Sequence, residues 1–282
     1  MTIAIIGAGA VGCWMASELS AAGADVTVVA RGEALRAVRE RGVRADGVDV
    51  PVAVATHASE VEASAIVLAT KATGAPLTEI LDGTNAPIVM TQNSVEAPRL
   101  IAAVVGQERT VPGVVRGYFH HVGPAEVTTH GGPGSFTMGP GAPTLARALE
   151  STGITVTVRD DELVDVWEKA MFVEPCGALG LIADADLGVL RTTYRESLTD
   201  FITEVHNAGI GGGVPIPEDA VARTLAFADA MPASSTTSMQ RDRMAGLTGE
   251  FDAQVGAVIR EAERHGVAVP LHRLAYALIA GR

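Results

Sequence analysis

The sequence predicts an α/β fold whose first half carries parallel strands and crossover helices and whose second half is all helical. Three observations carry this reading. A short apolar run, Ile3 to Ile6, leads into closely spaced glycines and then into a stretch, Val11 to Ala22, that reads as a helix. Similar apolar runs recur between helical stretches as far as residue 158, the pattern of strands buried on both faces. Beyond Asp160 strand alternation stops, and helical periodicity continues nearly to Arg282. The boundary is expected near residue 165, giving domains of 1–165 and 166–282.

The glycines stand as Gly7-Ala8-Gly9-Ala10-Val11-Gly12, the G-x-G-x-x-G spacing. Gly7 allows a tight turn, Gly9 lets a pyrophosphate approach the backbone, and Gly12 permits close helix–strand contact. The phosphates would rest on the N–H groups at the helix start, around Ala10 and Val11, where the helix dipole favours negative charge. The strand before, the helix after and a second strand, Asp25 to Val29, supply the context of a dinucleotide site. A glycine-rich turn without ligand is the plainer alternative.

Size and composition narrow the class. The 282 residues suit two domains. No apolar stretch approaches a membrane span, and the first strand leaves no room for a signal peptide. The two cysteines, Cys13 and Cys176, have no CxxC partner, so neither a disulfide framework nor a zinc site is expected. A cytoplasmic protein is expected. A net charge of −12 with 4% aromatics and no Lys/Arg block argues against nucleic acid. That charge also repels anions at long range, so any anion site must be built from local cations.

Arg31 follows the second strand where an acid for the ribose would favour NAD; arginine suits the extra phosphate of NADP, the alternative being a solvated side chain. Arg31 to Arg41 reads as a charged helix, and Val43 to Val54 as a small strand pair around Asp46-Gly47. Ala65 to Ala69 is another buried strand, ending at Thr70-Lys71-Ala72-Thr73-Gly74. Ligands of open α/β sheets sit beyond the carboxyl ends of strands, which places Lys71 near the cofactor unless it is an ordinary strand-end lysine. Ile88 to Thr91 is the next strand. The amides of Gln92 and Asn93 beyond it could meet a nicotinamide or a substrate carbonyl, or cap the following helix. Val111 to His121, Glu126 to His130 and Ser135 to Gly139 read as strands, with Gly131 to Gly134 as a turn. His120 and His121 face opposite sides and read as structural or exposed. Ala142 to Ser151 reads as a helix and Ile154 to Val158 as a strand.

In the helical half, a helix from Asp161 carries Trp167, Lys169 and Phe172 and reaches Pro175, which is expected to bend or end it. Gly209 to Pro217 and Pro232 to Ser238 read as loops. Leu247 to His265 reads as one long helix, closed by Gly266 with Pro270 beyond.

The chain resembles the ketopantoate reductase (2-dehydropantoate 2-reductase) family over nearly its whole length. The motifs stand in order: the Gly7–Gly12 loop, Arg31, Lys71 in Ala69-Thr-Lys-Ala72, Gln92-Asn93-Ser94, Trp167-Glu-Lys169, Thr237-Ser238-Met239, Gly249-Glu250-Phe251-Asp252 and His265-Gly-Val-Ala-Val-Pro270. The resemblance implies a Rossmann-type domain, a helical substrate and dimerisation domain, and an active site between them. It implies NADPH and reduction of a 2-keto acid, with Lys169 as general acid and Asn93 orienting substrate and nicotinamide. Ser238 would contact the substrate carboxylate, and Glu250 would bond the substrate or position Lys169.

The chemistry supports that role for a lysine. Negative charge develops on the carbonyl oxygen as hydride reaches carbon, and an ammonium there stabilises it and supplies a proton. The plain alternative is an exposed Asp165–Lys169 pair one turn apart. Two departures from the family are informative. Its asparagines one and two turns beyond the lysine are here Val173 and Gly177, with Glu174 nearby, which turns a polar wall apolar and small. Ser94 replaces a glycine, which is expected to reshape that loop. A substrate less hydroxylated and larger than ketopantoate is therefore expected. A reductase of imines or amino-acid-derived carbonyls, and a non-catalytic NADPH-binding sensor, remain as rival readings.

Overall fold

The computed structural model describes residues 1–72, 76–247 and 249–281. Thr73 and Gly74, expected at a strand end, lie outside the described residues, as does Arg282. The chain forms two compact units: Met1–Gln92 with Ala97–Glu162, and Asn93–Glu96 with Leu163–Arg282. No helix among the described residues is long and apolar enough to cross a membrane.

The α/β unit runs β1 (Thr2–Ile6), α1 (Ala10–Ala21), β2 (Asp25–Val29), α2 (Gly32–Arg41), β3 (Val43–Ala45), β4 (Val48–Val50), β5 (Ala53–Ala55), β6 (Ala63–Leu68), α3 (Leu77–Ile80), β7 (Ile88–Met90), α4 (Ala97–Val105), β8 (Thr110–Val111), β9 (Gly113–Gly123), β10 (Glu126–Met138), α5 (Pro143–Glu150) and β11 (Thr155–Val158). One parallel sheet has the order β5-β2-β1-β6-β7-β8. Strands leave β1 in both directions, the doubly wound arrangement that opens a crevice beyond its carboxyl end. Alternation along β1 explains why both faces are covered. Ile3 and Ile5 join the core shared with α1 and the second sheet, whereas Ala4 and Ile6 join the core under α4.

The second sheet has the order β11-β10-β3-β4, with β9 paired to β10. Asp46 and Gly47, both at positive φ, make the β3–β4 hairpin turn. The Asp46 carboxylate accepts bonds from the Thr129 N–H and hydroxyl, each 2.7 Å long. α1 is buried on nearly every side because sheets flank it, and Trp14 lies against Phe119 at 4.4 Å between centroids. Burial pushes the thiols of Cys13 and Cys176 up to about 12, so both are inert core residues.

One sequence expectation fails here. Glu126 to His130 and Ser135 to Gly139 are not two strands joined by a glycine turn but one strand, β10. His130 pairs with Tyr118 and Ser135 with Arg116, so the glycine stretch forms a bulge. Gly131, Gly132 and Gly134 absorb it at positive φ while the flanks stay paired.

The helical unit runs α6 (Glu162–Ala183), α7 (Leu187–Leu190), α8 (Arg195–Gly211), α9 (Ala220–Ala230), α10 (Ser238–Met244), a π-helical turn at Asp252–Gly256, α11 (Ala257–Arg264) and α12 (Pro270–Ala280). α6 is its axis. Trp167 meets Gly209 of α8, Phe172 meets Phe227 of α9 edge-on at 4.9 Å, and Gly177 and Gly180 meet the start of α10. α6 continues through Pro175 to Ala183, so the proline does not end it. The helix continues because residues 174–180 are all buried, and that burial outweighs the one backbone bond that proline removes. The helix expected from Leu247 to His265 is seen from Phe251 to Arg264, its first turn π-helical and continuous with α11. α8 instead runs into the glycines read as a loop, to Gly211.

Glu174, on α6, is fully buried, and its Oε2 has no hydrogen-bond partner among the described residues. Burial pushes its carboxyl well above the ordinary 4.5. The folded chain therefore holds Glu174 neutral at pH values where the unfolded chain ionises it. Its contribution to stability is fully present below about pH 4.5 and is lost as pH rises toward the folded value. Glu174→Met is expected to raise the melting temperature, with a gain that grows from about pH 5 to about pH 8. A gain that stays flat over that range would show that the carboxyl is not held neutral.

Candidate functional site

In the α/β unit the candidate residues gather at the carboxyl ends of β1, β2, β6 and β7. Ile6 pairs with Val29 and Leu68, so those three strands end level. The Gly7 N–H donates to Val29 O at 3.0 Å, Ala69 N–H to Ile6 O at 2.9 Å, and Thr91 N–H to Leu68 O at 3.1 Å. Gln92 Nε2 donates to Thr70 O at 3.1 Å, so this amide braces the end of β6 and is not a helix cap.

The three glycines differ as their spacing requires. Gly7 has φ +108 and lies against the Ala69 backbone, where a Cβ would sit 3.0 Å away. A Cβ on Gly12 would collide with the Gly7 carbonyl oxygen, so α1 can start this close to β1 only without a side chain. A Cβ on Gly9 would meet nothing within 4 Å. The backbone from Gly9 through Ala10 and Val11 is open, and first-turn N–H groups of α1 point where no earlier carbonyl of the helix can reach them. The geometry fits a pyrophosphate.

Arg31 is exposed as the residue before α2, with no ion-pair partner among the described residues. Lys71 is exposed beyond β6. His121, at the far end of β9, keeps an exposed edge but is partly withdrawn from water, and this together with the charge of Lys71 lowers its pKa. His120 and His121 are both exposed. Among the described residues no cluster of His, Cys, Asp or Glu could hold a metal.

In the helical unit, Lys169 and Val173 are half-buried and Gly177 is buried, all on α6. Asp165 is 6% exposed, so the reading of an exposed Asp165–Lys169 pair does not hold. Gly177 does not leave a gap: a Cβ there would meet Met239 Cε and Sδ at 3.0 Å and Thr237 Oγ1 at 3.2 Å. Its smallness lets the start of α10 approach α6. Thr237 caps α10 in a capping box with Gln240, readable as T-x-x-Q, and this presents Ser238 at the first helical position. Gln240 is held in turn by a 2.9 Å bond to Ala185 O. Ser238 and Glu250 lie twelve residues apart and need a break between them, which Gly246 at the end of α10 supplies.

Asn93 lies in the short segment that groups with the helices. Ser94, which stands where the family has a glycine, takes no positive φ. Residues that sequence reasoning passed over sit around this segment. Glu96, buried, is bound by Arg260 through Nε at 3.0 Å and Nη2 at 2.5 Å. Arg260 Nη1 also donates to Asp252 Oδ1 at 3.1 Å, and the Tyr276 hydroxyl to the same oxygen at 2.6 Å. Burial alone would raise the Asp252 pKa; the bonds from Tyr276 and Arg260 outweigh it and hold the carboxyl low.

Comparison with known proteins agrees with this fold. The family model described as Ketopantoate reductase PanE/ApbA matches residues 3–143, and its C-terminal companion matches residues 163–282. The chain belongs to the ketopantoate reductase family. A 2-dehydropantoate 2-reductase from Halobacterium salinarum is 28% identical, over 97% of this chain and 96% of that protein. One from Mycobacterium tuberculosis is 26% identical over 99% and 96%. The crystal structure of 2-dehydropantoate 2-reductase from Methylococcus capsulatus superposes with a TM-score of 0.90 at 25% identity, covering 99% of this chain and 96% of that one. Membership in the ketopantoate reductase family makes the chain an oxidoreductase of the keto-acid reductase type.

Gly12→Ala is expected to weaken dinucleotide binding at least about tenfold and to cost about 1–3 kcal/mol of stability. Fluorescence titration with NADPH and NADH, beside thermal unfolding, measures both. Unchanged affinity would remove the glycine turn from the site.

Proposed function

We propose that the protein is an NADPH-dependent reductase of a 2-keto acid, with Lys169 as general acid. The observation that supports it most is the setting of Lys169. This lysine is half-buried on α6, one turn from a buried aspartate, and not part of a solvated surface pair.

A bound nicotinamide supplies hydride to the carbonyl carbon of the substrate. Lys169 Nζ places an ammonium N–H at the carbonyl oxygen, stabilises the charge that develops there, and gives the proton that completes the 2-hydroxy acid. The Asn93 amide orients the carbonyl. The Ser238 hydroxyl donates to the substrate carboxylate. Glu250 accepts a bond from the substrate or holds Lys169. Gly7, Gly9, Ala10, Val11 and Gly12 receive the pyrophosphate. Arg31 takes the 2′-phosphate, which its exposed position beyond β2 suits, and Lys71 adds positive charge along the same edge. These local cations are what a chain of net charge −12 needs to hold an anionic cofactor. A homodimer formed through the helical unit and a cytoplasmic location belong to the same reading.

Val173 favours a keto acid with an apolar arm over a hydroxylated one, because it presents a branched hydrocarbon one turn beyond Lys169. Met239, filling the space beside Gly177, adds to that character.

Lys169→Ala is expected to lower kcat by about 10²- to 10⁴-fold while leaving the NADPH dissociation constant unchanged. The assay follows NADPH oxidation with ketopantoate, with 2-keto acids bearing apolar arms, and with imines. Faster turnover of ketopantoate would overturn the apolar-arm reading. Preference for imines, or a wild-type protein that binds NADPH and reduces nothing, would overturn the keto-acid reading itself. Arg31→Ala is expected to raise the KM for NADPH by about 10- to 100-fold with little effect on NADH, since it removes a charge-assisted bond to a phosphate absent from NADH. Equal effects on both cofactors would remove Arg31 from that role.

A further inference from the structure

We propose that Arg260 is a positioning residue of this reductase: one guanidinium holds the Asn93 segment and the Glu250 segment in fixed relation. The proposal rests on the reductase reading for the roles of Asn93 and Glu250. Its basis is where the two partners of Arg260 stand. Glu96 ends the short segment that begins with Asn93, and Asp252 lies two residues beyond Glu250.

The geometry is that of a fork. Nε and Nη2 embrace the two carboxylate oxygens of Glu96. Nη1 reaches the Asp252 carboxylate, and Nη2 also reaches the Asp252 carbonyl oxygen at 3.1 Å. Only a planar group with several fixed donors meets all four acceptors, so lysine is not equivalent. Most surface ion pairs contribute little, but here the Glu96 side chain is 8% exposed. Without Arg260 this buried carboxylate would lose the fork that holds both its oxygens, and the segment carrying Asn93 would shift.

Asp252 is fixed from the other side as well. Tyr276 bonds the same oxygen that Arg260 does, and its ring stacks on Phe251 at 5.2 Å. Gly256 makes room for the cluster, since a Cβ there would meet Asp252 Oδ1 at 2.5 Å, Arg260 Nη1 at 2.8 Å and Tyr276 Cε2 at 3.1 Å. The π-helical turn at Asp252–Gly256 starts at this point, and Gln254 N–H donates to the Glu250 carbonyl at 2.9 Å. Widened turns of this kind recur where a helix must aim a functional group. The clamp therefore sets the backbone on which Glu250 is carried and the backbone on which Asn93 is carried, through one side chain.

The test compares wild type, Arg260→Lys, Arg260→Met, Glu96→Gln and the Arg260→Met/Glu96→Gln double variant as full chains. Amide hydrogen exchange is read over residues 93–96 and 249–256, and steady-state kinetics with NADPH and the best 2-keto acid. Arg260→Met is expected to speed exchange in both segments and to lower kcat about ten- to a hundredfold, with NADPH affinity unchanged. Arg260→Lys, the milder change should Arg260→Met fail to fold, is expected to restore neither. The double variant is expected to cost little more than either single one, because both break the same link. Faster exchange with unchanged kcat would reduce Arg260 to a structural brace and overturn the proposal. So would faster exchange in one segment alone, no change in either, or full rescue by lysine. A wild-type protein that reduces no 2-keto acid is a failure of the reductase reading. In that case coupled exchange in both segments still supports the clamp, and unchanged exchange overturns it.

Discussion

Gly12 has no room for a side chain, and the α/β unit is built on that fact. The first helix begins against the carbonyl of Gly7, at a distance only a hydrogen-bearing Cα allows. This contact seats α1 between the parallel sheet and the second sheet, where Trp14, Met15 and Leu19 are almost completely buried. It also leaves the turn just before the helix open at Gly9. Close contact on one side of the turn and free space on the other are two results of one constraint, which is why the spacing of the glycines matters more than their number. The helical unit uses the same device. Gly177 and Gly180 let α10 come close to α6, and Gly209 on α8 makes room for Trp167 of α6.

The two units place charge differently. At the carboxyl edge of the parallel sheet Arg31 and Lys71 are exposed. In the helical unit several charges are fixed by partners. Glu204 accepts the N–H groups of Leu271 and His272 and bonds His272 Nδ1 at 2.7 Å, so its carboxylate seals the start of α12. Hydrogen bonds from these groups outweigh burial and keep its pKa low. Arg191 does the converse at the end of α9, donating to the carbonyls of Ala228, Asp229 and Met231. A framework locked in this way can carry catalytic side chains without drift, which is the condition for a proton donor to act at one atom.

Local signals made much of the fold legible. The β1–α1 turn, the Asp46-Gly47 hairpin and the Gly266 helix stop each depend on residues within a few positions of one another, so sequence alone specifies them. The errors share a cause. Gly131 to Gly134 and Pro175 are local breakers that longer-range forces override: paired flanks on β9, β11 and β3 in one case, complete burial in the other. Of the candidate site, the motif residues could be named. That Gly177 is occupied by the approach of Met239 could not, because α10 is some sixty residues away along the chain.

The glutamates of the helical unit show why the rest was hidden. Glu96, Glu174 and Glu204 are one residue type, all largely withdrawn from water, and nothing within a few positions of each tells them apart. Glu96 stays paired because Arg260, far along the chain, offers a fork. Glu204 keeps its charge because a helix start and a histidine face it. Glu174 receives no partner at Oε2 and is held neutral. The charge state of a buried acid is decided by donors that the fold brings from elsewhere, so a sequence can show that such a residue is unusual without showing what it does. The same holds for Lys169: its motif can be read from the chain, but its acidity depends on neighbours that only the folded unit supplies.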